Sequence, residues 1–110
     1  MNEGVGIENS RVIDFVLQDP QTNEFVIIMF EKRAWDGSQE RLDQIQRKIN
    51  NYLFFIMDGQ IAKYYPHAMD KPFRIQLDCH QMPDSITLKF LDGMKTVLAK
   101  EGIKFVIKVL

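Results

Sequence analysis

Between Asp36 and Gly59 the chain carries one long amphipathic pattern, and this pattern narrows the folds open to it. Leu42, Ile45, Ile49, Tyr52, Leu53 and Ile56 recur at spacings of three, four and seven, the mark of a helix with one buried stripe. Asp36 opens a D-x-x-Q capping box with Gln39, and Ser38 is an alternative cap. Gly59 suits the position just past the last turn. A helix over 38–58 would be about 31 Å long at ~1.5 Å per residue. A seven-residue strand is only about 23 Å long, so this helix is expected to overhang any sheet it covers.

Strand patterns flank it. Arg11 to Leu17 forms a first strand, with Ile13, Phe15 and Leu17 on the inward face and Val12, Asp14 and Val16 on the other. D-P-Q-T-N at 19–23 is a turn, and Glu24 to Glu31 returns as a second strand in a hairpin. Residues 60–72 form a long connection with a short extra helical turn before Pro66. Phe73 to Cys79 alternates cleanly, with Phe73, Ile75, Leu77 and Cys79 inward. Asp84 caps a second helix, which Gly102 ends; Gly93 inside it is expected to permit close packing. Ile103 to Leu110 is the last strand. The order β-β-α-β-α-β predicts an α+β two-layer sandwich, a four-stranded mixed sheet with two helices on one face. A right-handed crossover makes the last two strands parallel if they are adjacent.

The length of 110 residues suits one domain, expected over 11–110 behind a loose arm at 1–10. A formal net charge of -1 provides no field for nucleic acid or an anionic membrane. The single cysteine excludes an internal disulfide, and neither a signal peptide nor a membrane span is visible, so a cytoplasmic location is expected.

The run K-I-N-N-Y-L-F-F-I-M-D-G at 48–59 joins V-I-D at 12–14, Trp35, and Tyr65-Pro66. With Phe90, Leu91 and Gly102, this pattern resembles a family of small bacterial proteins classed as a domain of unknown function. Ile49 stands where leucine is expected. The resemblance covers nearly the whole chain from residue 11 onward. It implies a bacterial origin and a compact domain, and it implies no activity. Together with the small size, it leaves room for an antitoxin- or immunity-like partner role.

The chemistry visible in the chain is sparse. Cys79 and His80 are adjacent on a strand and so point to opposite faces, which makes Cys79 a small buried hydrophobe and not a nucleophile. His67, His80, Asp70, Asp78 and Asp84 show no metal-ligand spacing. Asp14 is expected to pair with Arg74, Lys104 or Lys108 across strands. Glu31-Lys32-Arg33 is expected to be solvated. Phosphate-loop and G-x-S-x-G motifs are absent, and no cofactor or metal is called for.

Two apolar surfaces remain. One is the open sheet face, carrying Val12, Val16 and Val106 with Val26, Ile28 and Phe30. The other is Phe54, about 160° from the centre of the core stripe and near Asp43, Arg47 and Asn50. The expectation is a non-enzymatic, protein-binding module, above all a homodimer, with Val16, Ile28, Phe30 and Val106 as anchors and Phe54 and Arg47 as a second contact. The competing expectation is a small-molecule or hydrolytic pocket lined by Trp35, Tyr64, Tyr65 and His67.

Overall fold

The computed structural model describes residues 4–110. Four strands form one sheet: β1 (Phe15–Gln18), β2 (Phe25–Glu31), β3 (Phe73–Cys79) and β4 (Ile103–Val109), in the spatial order β1-β2-β3-β4. β1 and β2 are antiparallel, while β2, β3 and β4 run parallel. The helices are α1 (Gln39–Met57), α2 (Gln60–Tyr64) and α3 (Ser85–Lys100), with a 3-10 turn at Pro66–Ala68. This is the expected α+β architecture. The third strand, whose place the long connection leaves open in the sequence, lies between β2 and β4.

The hairpin turn works as its residues dictate. Asp19 accepts the Gln21 amide at 2.8 Å, and Asn23 takes the left-handed conformation at φ 65. At the start of α1 it is Ser38, not Asp36, that caps: its hydroxyl accepts the Arg41 amide, and Asp36 instead braces the Ser38 amide. Gly59, at φ 79, turns the chain out of α1 and into α2.

The core lies between one sheet face and the helices. Phe25, Ile27, Met29, Ile75, Leu77, Ile103 and Phe105 meet Ile45, Ile49 and Tyr52 of α1 and Leu91, Met94 and Leu98 of α3. No close neighbour explains Gly93, since a side chain there would meet nothing within 4 Å.

Two expectations about the amino-terminal part are corrected. β1 starts at Phe15, four residues later than expected, and its inward residue is Val16; Phe15 and Leu17 point outward and are exposed. The cause is Asp14. Its carboxylate occupies the position where the next strand residue would pair, accepting the Phe30 amide at 2.9 Å and so ending the ladder. The arm is not loose where it is described. Ile7 is fully buried in the core, and its amide donates to Phe30 O at 3.0 Å. Residues 1–3 lie outside the described residues.

Candidate functional site

The polar centre of the fold is built on α1. Lys48 falls inside the apolar stripe, three residues after Ile45 and four before Tyr52, so the helix carries its side chain into the core. It is 0% exposed. Its ammonium donates to Asp14 Oδ1 at 2.6 Å, Gly6 O at 2.7 Å and Asn9 O at 2.8 Å, which uses all three donors. Asp14 Oδ2 accepts from the Gly6 and Phe30 amides. The Tyr52 hydroxyl accepts from the Asp14 amide and donates to Ile28 O. Burial holds the Lys48 pKa below the usual lysine value against the pull of Asp14, and burial pushes the Tyr52 phenol well up. Asp14 thus pairs with a helix lysine and not with Arg74, Lys104 or Lys108. The signal in the sequence is a lysine at a core position.

This network fastens residues 6–14 against α1 and so forms one wall of a groove. Three adjoining clefts of about 480, 220 and 400 Å³ run between that segment and the helices. Arg11, Ile13 and Phe15 line one side, and Arg47, Phe54, Phe55, Tyr64 and Tyr65 the other. Phe55 and Tyr64 stack at 6.2 Å between ring centres. Phe54 is 62% exposed and Phe15 51% exposed.

Phe15 also turns the corner onto the outer sheet face, where no helix of the core packs. That face presents Phe15, Leu17 and Val106 around Val26 and Ile28, which are buried between their strand neighbours. Phe30 is half-buried on the same side. Charges of both signs share the face. Glu24 holds Arg74 at 2.6 Å and Lys104 at 3.4 Å, and Gln76 donates to Asp78 at 2.8 Å. For Glu24, burial raises the carboxyl pKa, but the Thr22 hydroxyl and the two cations outweigh burial and leave it below the usual range.

The anchors expected on this face are therefore placed unevenly. Ile28, Phe30 and Val106 lie on it; Val16 does not, because it packs toward the core. Phe54 and Arg47 stand together at the groove. Phe15 is the aromatic that alternation alone assigns to the wrong face.

The four residues of the expected pocket are not brought together. Trp35 lies past the end of β2, donating from Nε1 to Gln81 O just past the same end of β3. Tyr65 contacts Phe25 at the opposite end of β2, at 6.4 Å between ring centres. Tyr64 and Tyr65 line the groove instead, and His67 is exposed in the 3-10 turn. Near Trp35, Glu31 is buried and bound to Arg33 at 2.8 Å and Arg41 at 3.3 Å, so the charge run at 31–33 is not wholly solvated. Arg41 also lies over the Trp35 ring at 5.5 Å.

Cys79 is buried, and burial raises its pKa, so it is held as the thiol. Among the described residues there is no cluster of three metal-ligating side chains and no helix long and apolar enough to cross a membrane.

No curated protein and no solved structure matches the chain significantly. One protein family does, over residues 5–110, a span that takes in both the Lys48 anchor and the groove: the chain belongs to the family of unknown function DUF6572.

Proposed function

We propose that this chain is a protein-binding module with no chemistry of its own, and that its partner is a second copy of itself. The observation that carries the reading is the sheet face that no described element covers, where Phe15, Leu17 and Val106 stand exposed over an apolar floor of Val26 and Ile28. Phe15 is the aromatic among them, and aromatic side chains are enriched at interfaces. Glu24 is already paired with Arg74 on this face, so a two-fold contact would rest on the apolar residues rather than on charge. A net charge of only -1 adds little repulsion between copies. Phe54 and Arg47, on the adjoining groove, would form the edge of the contact.

Sedimentation across the micromolar range tests the proposal. A concentration-dependent dimer is expected, and Phe15→Ser should abolish it while leaving a folded monomer by circular dichroism, with a melting temperature that no longer rises with concentration. A strict monomer at high micromolar concentration would overturn it.

One observation favours a second reading, small-molecule binding. The cleft of about 400 Å³ beside β1 is walled by Ile13, Phe15, Phe55, Tyr64 and Tyr65, the aromatic lining that ligand pockets use. Thermal-shift screening separates the two readings, since a single strongly stabilising metabolite would favour this one.

A further inference from the structure

Among the described residues the sheet has two free edges, β1 and β4. At β1 the edge is four residues long, and Tyr52 already takes the Asp14 amide at its start. At β4 it is seven residues long and open. Leu110 N–H donates to Cys79 O at 2.8 Å, so the even-numbered residues of β4 turn their backbone groups toward β3. Ile103, Phe105, Ile107 and Val109 therefore turn their N–H and C=O groups outward along an unpaired edge.

Between this edge and α3 runs a groove made of two adjoining clefts, of about 630 and 410 Å³. Its apolar lining comes from Leu88, Leu91 and Ala99 of α3 and Phe105 and Ile107 of β4. Lys89 and Lys95 stand on its helix side, with Asp92 the one acid among its lining residues. On the outer side β4 presents Lys104 and Lys108; Lys104 also reaches Glu24 at 3.4 Å, but remains 73% exposed.

We infer that this edge takes an extended acidic peptide as a fifth strand, with alternate apolar side chains in the groove against α3 and alternate carboxylates over Lys104 and Lys108. The edge chooses the class of partner. It offers donors and acceptors in alternation, which another peptide backbone satisfies and a nucleic acid, with no matching row of donors, does not. The charges choose between a foreign segment and a second copy. An antiparallel copy centred on Val106, the register with the longest pairing, would set Lys104 opposite Lys108 of its partner, and like charges directly opposed are unfavourable.

The test is fluorescence anisotropy with a labelled peptide of about eight residues, long enough to pair along β4, alternating valine and glutamate. Saturable binding below millimolar concentration is expected. The valine–lysine counterpart should not bind, and neither should a valine–glutamate peptide N-methylated at alternate amides. Lys104→Glu with Lys108→Glu should weaken binding about tenfold, the effect of two surface charge contacts.

Ile107→Pro removes an edge donor while leaving the β3 ladder intact, and should abolish binding with the amide NMR spectrum otherwise preserved. Should that variant unfold, the N-methylated peptide decides the same point in the native chain. Phe15→Ser, on the far edge, should bind as the native chain does, so failure of self-association leaves this result readable. The inference is overturned if the valine–glutamate peptide does not bind. It is also overturned if polyglutamate or a single-stranded oligonucleotide binds equally well, since the site would then be only a cationic patch.

Discussion

At the scale of single residues, Lys48 carries the most consequence. A buried ammonium is tolerated only when its donors are all used, and Lys48 spends its three on Asp14, Gly6 and Asn9. Lys48→Met fills similar space but leaves the Asp14 carboxylate buried with only amide donors. The expected loss is about 3–5 kcal/mol, the range for breaking a buried pair, read as a lower urea midpoint. Adding Asp14→Asn to that variant should cost less than the sum of the single changes, because the charge left unpaired is removed. An additive result would mean that the two side chains do not act as a pair.

At the scale of elements, α3 offers two tests. Gly93 sits in the helix with open space where a side chain would go, so it has no packing role to lose. Gly93→Ala should raise stability by about 0.5–1 kcal/mol, seen as a higher melting temperature. Asp84 caps the same helix, accepting the Thr87 amide at 2.9 Å and the Thr87 hydroxyl at 2.8 Å. Its pKa is lowered from 3.8, chiefly by the Thr87 amide. A carboxyl that binds its proton more weakly in the folded state contributes fully above its unfolded value and loses that contribution as pH falls through the folded one. Asp84→Ala should therefore cost about 1 kcal/mol at neutral pH. The gap to the native chain should narrow as the pH drops below 3.8. Urea titrations at several pH values would show it.

At the scale of the whole molecule, the segment before β1 belongs to the fold. Ile7 fills the core, and the two carbonyls that accept from Lys48 are those of Gly6 and Asn9. A chain beginning at Arg11 loses these partners together with Ile7, whose apolar contribution alone is worth about 2–5 kcal/mol. It should unfold at much lower denaturant than the full chain. Equal stability would restore the loose arm that composition suggests. The family match, which begins at residue 5, includes this segment.

The parts of this protein legible from the sequence are those set by local periodicity and caps. The α1 stripe, the alternation of β3 and β4, and the Asp84 cap each repeat a pattern whose energetics are settled within a few turns or residues. The polar, glycine-containing composition of the amino-terminal ten residues, by contrast, hides the buried Ile7, and alternation alone exchanges the two faces of β1. Tertiary structure decides these points because a long-range partner outweighs the local pattern. Lys48 draws Asp14 inward from 34 residues away, and that ends β1 early and turns Phe15 out. The arrangement of the strands also separates Trp35 from Tyr64 and Tyr65 to opposite ends of the sheet, and leaves the β4 edge open beside α3. Which side chains share a surface depends on strand order, and strand order is set by contacts across the whole chain.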